Sequence, residues 1–322
     1  MRLFRRPSGP RLFFATDLHG SERCFRKWLN AAGAYKADVL ILGGDVTGKA
    51  VVPVVENGQG WIGVADGREF HVRGEEELAG LRARIRDAGH YDVVVTKPEA
   101  QRLEADETEL ERVFHAAVKE RLRGWVKLAE ERLEDRGTRC FMMLGNDDPS
   151  DLADVLRDSS TVVYAEDDIH ELPGEFELLS YGYSPPTPWN TPRELPDYEI
   201  GRQLDVLGQR LRQPERAVFN VHCPPRDTHL DQAPELDADL RIKGGIGGRA
   251  SHSVGSQAVR DALGRFGVML GLHGHVHESP AAEKLGRTIC INPGSEYSEG
   301  ILRGALVQLG DKGVESWQLV QG

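Results

Sequence analysis

Five short apolar runs, each ending in a small or polar residue, predict buried strands. They cover residues 12–16, 38–42, 140–144, 217–221 and 268–272. Uninterrupted apolar runs of this length are typical of strands covered on both faces, as in a largely parallel sheet. Between the first two runs, residues 21–32 have apolar positions at helical spacing, and Gly33 follows as a helix stop. This strand–helix–strand order implies a right-handed crossover, so the pattern predicts an α/β fold.

The remaining chain contains further helical and strand-like patterns. Helical spacing predicts helices at 75–87 and 256–266, a helix at 193–212, and one long amphipathic helix over about 102–136. Short apolar or alternating runs predict strands at 162–164, 175–181, 288–291, 304–309 and 314–319. Pro185 to Pro192 is a proline-rich loop, and 223–254 is a long, polar, glycine-rich loop. A loop of that length inside a compact domain is usually functional or mobile.

Residues 50–98 have the pattern of an insertion into a single domain that spans 1–322. Three short strand-like runs, at 51–55, 61–65 and 69–72, are separated by Asn57-Gly58 and Asp66-Gly67. Such dipeptides favour hairpin turns, so a β-hairpin and the 75–87 helix are expected here. We expect residues from this insertion and from the 223–254 loop to shape the substrate pocket.

Polar side chains follow all five apolar runs, where the strands are predicted to end. They are Asp17, His19, Asp45, Asn146, His222, His275 and His277. In an open α/β sheet the carboxyl ends of the strands meet at one edge, so these seven residues are expected to converge. Carboxylate oxygens and imidazole nitrogens together suit divalent transition metals, with manganese foremost and iron, zinc, nickel or cobalt as alternatives.

The seven residues divide into ligands for two metal ions. Asp45, a carboxylate with two oxygens, suits a bridging position. Asp17, His19 and His277 would complete the shell of one ion, and Asn146, His222 and His275 that of the other. His275 and His277 are two residues apart and would each serve a different ion. Because alternate strand residues face opposite ways, Gly274 and Val276 must then lie in a turn beyond the strand.

Composition narrows the class of protein. The 322 residues carry a formal net charge of -11, which argues against a protein that wraps nucleic acid. The four cysteines are scattered without a Cys-x-x-Cys pair, so we expect reduced thiols and a cytoplasmic protein. The first apolar run is too short for a signal peptide, and no run is long enough to span a membrane.

The order of these motifs resembles the calcineurin-like metallophosphoesterase superfamily. Its pattern of Asp-x-His, Gly-Asp, Gly-Asn-His, His and Gly-His-x-His is matched by blocks spread over residues 17–277. A prokaryotic subgroup is also similar, through His222-Cys223-Pro224-Pro225 and Ile291-Asn292-Pro293-Gly294-Ser295-Glu296-Tyr297. The resemblance implies two β-sheets sandwiched between helices in four layers. It also implies hydrolysis of a phosphoester by a hydroxide that bridges two metals.

One position departs from the family pattern. Asp147 stands where the family often has a histidine that binds the phosphate and assists the leaving group. An ionised Asp147 would repel phosphate, whereas burial or a neighbouring carboxylate such as Asp148 would raise its pKa and let it donate a proton. His252 or His229, from the long loop, could act as the acid instead. Relatives that lack this histidine often cleave diesters, so the departure favours a phosphodiester substrate.

Other residues are candidates for binding the phosphate. They are Asn146, Arg226, and Gly255 with Ser256, whose backbone N–H groups at a helix start can bind an anion. The alternative for Ser256 is a plain N-cap. Residues 43–50 nearly match a phosphate-binding P-loop, but Ala50 stands where a Ser or Thr hydroxyl is required, and a strand follows instead of a helix.

Three functions are therefore consistent with the sequence. The first is a metal-dependent phosphoesterase acting on a small phosphodiester or phosphomonoester, without a membrane or nucleic-acid partner, and a homo-oligomer remains open. The second is a metal-binding interaction scaffold that kept the fold and lost catalysis. The third is a nuclease, which the net charge and the absence of a basic stripe disfavour.

Overall fold

A computed structural model describes residues 9–166, 168–237, 239–241, 243–245, 248–249 and 251–322. Residues 1–8, position 167, and positions 238, 242, 246, 247 and 250 of the long loop lie outside the described residues. The first half contains β1 Arg11–Ala15, α1 Glu22–Ala34, β2 Val39–Gly43, β3 Val51–Glu56, β4 Trp61–Ala65, β5 Arg68–Val72, α2 Glu75–Asp87, β6 Tyr91–Thr96, α3 Lys97–Ala105, α4 Glu107–Leu133, β7 Arg139–Met143, α5 Ala153–Arg157 and β8 Val162–Tyr164.

The second half contributes the remaining strands and two longer helices. These are β9 His170–Leu172, β10 Phe176–Tyr181, α6 Asp197–Gly208, β11 Ala217–Val221, β12 Gln232–Pro234, β13 Gly244–Gly245, β14 Gly248–Arg249, β15 Ser251–Ser253, α7 Gln257–Phe266, β16 Leu270–Leu272, β17 Ala281–Leu285, β18 Thr288–Asn292, β19 Arg303–Gly310 and β20 Gly313–Gln321. Short 3₁₀ turns cover Ser150–Leu152, Pro214–Arg216 and Tyr297–Glu299.

Two six-stranded sheets form the centre of the fold. The first has the order β20-β19-β1-β2-β7-β8, in which β1, β2, β7 and β8 are parallel. The second has the order β17-β18-β16-β11-β10-β9, in which β18, β16, β11 and β10 are parallel. Antiparallel strands β19 and β20 extend the first sheet beyond β1, and antiparallel strands β17 and β9 form the two edges of the second sheet. The five apolar runs of the sequence are β1, β2, β7, β11 and β16. Each has a neighbouring strand on both sides, and its apolar residues are buried on both faces of the sheet, as the composition predicts.

The strand residues alternate between two apolar layers. Phe14 and Ile41 of the first sheet pack against Leu178 and Val218 of the second, between the sheets. Phe13, one residue earlier, points to the other face, where α1 and α4 cover it. Helices α6 and α7 cover the outer face of the second sheet in the same way. The layers run helix, sheet, sheet, helix, which confirms the expected fold class.

A smaller four-stranded sheet follows β2. Its order is β5-β4-β3-β6, and α2 packs on it through Leu78, Leu81 and Ile85. Strands β4 and β5 pair through a two-residue turn at Asp66 and Gly67, whose φ angles of 50° and 68° fit a type I′ hairpin. The three strands and the helix predicted between residues 50 and 98 are thus present, and β6, which the pattern missed, completes the sheet.

Three helix boundaries differ from the predictions. The long helix expected over 102–136 is two helices, because Asp106 has extended backbone angles and its side chain accepts from the Glu109 N–H at 3.2 Å. The helix expected over 193–212 begins only after Pro196, so α6 is shorter. Helix α1 continues past Gly33, which was expected to end it, to Ala34. Local capping and proline geometry set these ends, whereas apolar spacing does not report them.

Two features bear on membranes and disulfides. Within the described residues, no helix combines the length and the apolar character needed to cross a membrane. The four cysteines, Cys24, Cys140, Cys223 and Cys290, are all buried and free.

The break at Asp106 gives a test of the fold. We expect Asp106→Ala to lower the free energy of unfolding by about 1 kcal/mol, because the first turn of α4 loses its side-chain cap. Urea denaturation measures the change. Asp106→Asn is the matched control, since its amide oxygen can still accept the bond. Equal stability of the alanine variant and the wild type would contradict this role.

Candidate metal centre

The loops that follow β1, β2, β7, β11 and β16 meet where the two sheets adjoin. Backbone hydrogen bonds join them: the Asp17 N–H donates to Gly44 O at 3.0 Å, and the His19 N–H donates to Asp45 O at 3.0 Å. On the second sheet, the Gly274 N–H donates to His222 O at 2.8 Å. The structure thereby brings all seven residues predicted as ligands into one cluster, although helices or strands separate the five loops along the chain.

Four of the seven have left-handed backbone conformations. The φ angles are 54° at Asp17, 39° at His19, 48° at Asp45 and 67° at His275. Non-glycine residues avoid this region, at a cost on the order of 1–3 kcal/mol each, and those that adopt it tend to lie at functional sites. Residues 273–278 form the turn expected beyond β16, in which the Val276 N–H donates to Gly274 O at 2.7 Å.

One group of donors consists of Asp17, His19 and His277, whose ligand atoms all lie within 4.8 Å of one another. His277 Nε2 is 3.2 Å from Asp17 Oδ1. His19 Nε2 is 3.1 Å from His277 Nε2. Two imidazole nitrogens and a carboxylate oxygen at this spacing can converge on a single divalent ion.

A second group consists of Asp45, His222 and His275, again within 4.8 Å. His222 Nε2 is 3.4 Å from Asp45 Oδ2. Asn146 joins this group, with its Oδ1 3.0 Å from His222 Nε2 and 2.7 Å from His275 Nδ1. The amide of Asn146 is oriented by its Nδ2, which donates to Thr191 Oγ1 at 2.9 Å, so its oxygen faces the histidines.

The two groups adjoin through their carboxylates. Asp45 Oδ2 is 3.7 Å from His19 Nε2, a member of the other group. Asp17 Oδ1 is likewise 3.9 Å from His222 Nε2. Each carboxylate therefore lies beside histidines of both groups, which is the arrangement that a ligand shared between two ions requires.

Carbonyl oxygens orient two of the imidazole rings. His222 Nδ1 lies 2.8 Å from Gly43 O, and His19 Nδ1 lies 3.3 Å from Thr47 O. A carbonyl oxygen only accepts hydrogen bonds, so Nδ1 carries the proton in both rings and Nε2 is left to bind a metal.

Burial and mutual charge set the protonation of the cluster. Burial alone would raise the pKa of Asp17, but the hydrogen bond from His277 and nearby histidine charges outweigh it and lower the pKa to about 2. Burial lowers the pKa of His19 to about 3 and that of His275 to about 4. His222 and His277 differ: burial opposes their charge, but Asp45 raises the pKa of His222 to about 10, and the hydrogen bond to Asp17 raises the pKa of His277. An ionised carboxylate and neutral imidazoles are the forms that bind metals, and a proton on His222 must leave when a metal binds.

Two glycines allow the loops to approach closely. A Cβ on Gly274 would lie 2.3 Å from Asp17 Oδ2 and 2.2 Å from Thr16 Oγ1. A Cβ on Gly145 would lie 2.1 Å from Asp45 Oδ1. Any larger residue at either position would displace a carboxylate of the cluster.

Asp147 is paired with a lysine. Lys49 Nζ lies 2.8 Å from Asp147 Oδ2, and the Asp147 N–H donates to Asp45 Oδ1 at 3.0 Å. Burial raises the pKa of Asp147, and the neighbouring carboxylate of Asp45 adds to this effect. Lys49 acts in the opposite direction. The sequence pattern did not predict this position for Lys49, which was considered only within the rejected match to a P-loop.

Asp148 connects two of the loops by hydrogen bonds. It accepts hydrogen bonds from the N–H groups of Gly145 at 2.7 Å and Thr47 at 2.9 Å, and from Thr47 Oγ1 at 2.7 Å. Its side chain thus ties the loop after β7 to the loop after β2. Burial and the charge of Asp45 raise its pKa to about 7.

The histidines of the long loop lie apart from the cluster. His229 is exposed, and its Nδ1 lies 2.9 Å from Glu283 Oε2. His252 is exposed on β15, which pairs with β12. Neither is among the described residues that line the cavity above the cluster.

The residues proposed to bind phosphate at the start of α7 are already hydrogen-bonded within the protein. The Gly255 N–H donates to Asp231 Oδ2 at 2.9 Å, and the Ser256 N–H donates to Pro224 O at 2.9 Å. Ser256 Oγ accepts from the Val259 N–H at 3.0 Å, so it is the N-cap of α7. Arg226 is exposed and, with these two residues, does not line the cavity among the described residues.

A cavity of about 460 Å³ opens directly above the cluster. His19, Asp45, Asn146, His275 and His277 form its floor. The rest of the lining was not predicted from sequence, and it includes Lys49, Phe114, Trp189, Asn190, Thr191 and Glu278. Among the described residues, none of those that line the cavity belongs to the 50–98 insertion or to the 223–254 loop, whereas we expected both segments to shape the pocket. No apolar period marks residues 189–191, so no sequence pattern identified them.

The segment after β18 supports the cluster from the other side. The ring of Tyr297 lies 4.7 Å from that of His19 and 6.0 Å, edge to face, from that of His277. Ser295 Oγ donates to Asp17 O at 2.7 Å. The family-like run at 291–297 therefore holds two of the histidines and one aspartate in place.

Comparison with known proteins supports the fold. No family model matches the sequence. An uncharacterised protein of Methanocaldococcus jannaschii is 31% identical over 119 residues, which span 36% of this chain and 47% of that protein, or about half its length. One solved structure aligns over 97% of this chain and 99% of its own at 16% identity, with a TM-score of 0.55. A Thermus thermophilus protein aligns over 98% of both chains at 12% identity, with a TM-score of 0.51.

A named phosphoesterase is also among the solved structures. Yfce, a phosphoesterase of Escherichia coli, aligns over 96% of this chain and 98% of its own at 13% identity. Its TM-score of 0.31 is too low to support an argument about this chain. The similarity to solved structures therefore bears on the fold alone.

The close approach of Gly274 to Asp17 yields a prediction about metal binding. We expect Gly274→Ala to weaken Mn²⁺ binding by about tenfold or more, because the added methyl group displaces a carboxylate oxygen. Calorimetric titration of metal-free protein with Mn²⁺ measures the affinity, and thermal unfolding without metal checks the fold. Gly264→Ala, at a helical glycine with nothing within 4 Å of the added Cβ, is the matched control. Wild-type affinity in Gly274→Ala would refute the prediction.

Proposed function

We propose that this chain is a metal-dependent phosphoesterase that hydrolyses phosphodiesters, or alternatively phosphomonoesters. The observation that carries the proposal is the convergence of two carboxylates, four imidazoles and one amide beneath a cavity of about 460 Å³. The order of the five motifs along the chain, which resembles the metallophosphoesterases, supports it. The free, buried cysteines support a cytoplasmic location.

Two divalent ions, manganese foremost, would be held by the two groups. Asp17, His19 and His277 would hold one, and Asn146, His222 and His275 the other, with Asp45 shared. Such a pair supplies an activated water and stabilises the attacking and leaving oxygens of an in-line displacement. Among the protein's residues, Gly43 and Thr47 present the Nε2 atoms of His222 and His19, and Thr191 turns the amide oxygen of Asn146 toward the histidines.

The Lys49–Asp147 pair takes the place of the family's histidine. An unpaired Asp147 carboxylate on the cavity wall would repel a phosphate, but Lys49 Nζ at 2.8 Å neutralises it. The ammonium carries three donors, so it can contact Asp147 and a phosphate oxygen together. We propose that Lys49 binds the substrate phosphate. The absence of the histidine supports a diester preference, because a diester carries one negative charge fewer than a fully ionised monoester.

The proposal predicts metal-dependent hydrolysis. Mn²⁺-loaded protein is expected to hydrolyse bis(p-nitrophenyl) phosphate. Asp45→Asn or His222→Ala is expected to lower kcat/KM by about 100-fold or more, because the first removes the charge and one oxygen of the shared carboxylate and the second removes an imidazole donor. His252→Ala, at an exposed histidine outside the cluster, is the control and keeps wild-type rates. Nitrophenolate release measures the rate.

Other outcomes of the same assay identify the rival functions. Mn²⁺ bound in calorimetry without hydrolysis of any mono- or diester in a panel would contradict the proposal and favour a metal-bearing scaffold. Salt-dependent DNA binding with cleavage would favour a nuclease. Rates on the small diester that do not depend on salt, without DNA binding, exclude the nuclease.

A separate prediction concerns Lys49. Lys49→Met is expected to lower kcat/KM at least about tenfold, because a charged donor to the phosphate is lost and Asp147 is left unpaired. Lys49→Arg keeps the charge and should retain much of the rate. Steady-state kinetics at fixed Mn²⁺ measure both variants. If Lys49→Met turned over the diester as fast as the wild type, the assignment of Lys49 would be refuted.

A further inference from the structure

A large aromatic side chain stands at the rim of the cavity in contact with solvent. Trp189 is 62% exposed and is one of the residues that line the cavity above the metal cluster. An exposed tryptophan keeps a large apolar surface in water, and nothing in the packing of the core requires it there. Its position beside the cluster indicates a ligand that covers it.

The loop that carries Trp189 is fixed by hydrogen bonds. Glu194 Oε1 accepts from Thr187 Oγ1 at 2.5 Å, from the Thr191 N–H at 3.0 Å and from Thr191 Oγ1 at 2.7 Å. Thr187 Oγ1 in turn accepts from the Trp189 N–H at 3.2 Å. These bonds fix the backbone on both sides of the tryptophan, so the indole is presented from a preorganised loop.

The same loop is tied to the metal cluster. Asn146 Nδ2 donates to Thr191 Oγ1 at 2.9 Å, and the Arg193 N–H donates to Asn146 O at 3.0 Å. Asn146 is one of the seven converging donors. The distance between the cluster and the tryptophan is therefore set by a short chain of hydrogen bonds, as a site that binds two parts of one molecule requires.

We propose that Trp189 is a stacking platform for a planar aromatic group of the substrate, so that the substrate is a phosphoester bearing a flat ring such as a nucleobase. The inference rests on the proposed function, because it assumes that the phosphate binds at the cluster. It adds the chemical class of the group attached to that phosphate.

The composition of the cavity wall favours a flat ring over an alkyl chain. Trp189 and Phe114 supply aromatic surface, whereas none of the described residues that line the cavity is leucine, isoleucine, valine or methionine. Asn190 places a side-chain amide beside the tryptophan, which suits the polar edge of a heterocycle. A volume of about 460 Å³ also exceeds what a bare phosphate requires.

The test compares two ligands that differ only in the ring. Adenosine 5′-monophosphate and ribose 5-phosphate share the sugar and the phosphate, and their binding to Mn²⁺-loaded protein is measured by calorimetry. Stacking of one base on an aromatic side chain is worth about 1–3 kcal/mol, so the nucleotide should bind about 5- to 150-fold more tightly. In Trp189→Leu this ratio should fall close to one, while Trp189→Phe should keep much of it.

Other results would overturn the inference. Equal affinities for the two ligands in the wild type, a ratio unchanged in Trp189→Leu, or no binding of either ligand would each refute the stacking platform. The readout is separate from catalysis. A Trp189-dependent preference without ester hydrolysis would refute the proposed function alone, whereas Mn²⁺-dependent hydrolysis without the preference would refute only the stacking platform. Because Trp189 is exposed, neither variant removes core packing.

Discussion

Two carboxylates, those of Asp17 and Asp45, are almost completely buried, and much of the surrounding architecture serves to keep them ionised there. Removing a charged carboxylate from water is costly unless opposite charges and hydrogen bonds compensate. Asp17 accepts from the His275 N–H at 3.1 Å and contacts His277, and Asp45 accepts from the Asp147 N–H. Both pKa values lie below the usual range for aspartate despite burial, because histidines surround them.

The backbone around the carboxylates adopts strained conformations in this arrangement. Four donors have positive φ angles, and glycines stand where two loops touch, as at Gly44, whose Cβ would meet Gly145 Cα at 2.7 Å. The Asp148 side chain then fastens two of the loops together by hydrogen bonds to Gly145 and Thr47. Strained conformations persist when their surroundings overdetermine them, and here the interlocked loops provide that restraint. The sheets supply the rigid base from which the loops project.

The strands and the donors were predictable from sequence for the same reason. A strand buried on both faces is an uninterrupted apolar run, so its end is visible, and the polar residues that follow β1, β2, β7, β11 and β16 mark the edge where ligands gather. Helix ends were harder to predict from the sequence, because the break at Asp106 depends on one capping hydrogen bond. Strand β17 was missed because its sequence, Ala-Ala-Glu-Lys-Leu, has little β propensity and becomes a strand by pairing with β18.

The residues of the cavity wall could not be predicted from the sequence, for a different physical reason. Lys49, Phe114 and Trp189 come from a loop, a helix and a second loop, and no spacing along the chain relates them to one another. Tertiary packing alone brings them to the rim. This separates two kinds of residue: potential metal ligands at strand ends, which the sheets position, and rim residues on connecting segments, which can change without disturbing a sheet. The Lys49–Asp147 pair combines the two kinds of residue. Asp147 follows Asn146 and donates its N–H to Asp45, whereas Lys49 is a rim residue. A change of substrate in this fold is therefore expected to alter the rim first and to leave the buried carboxylates in place, since replacing Asp45 or Asp17 would leave His222 or His277 without its counter-charge.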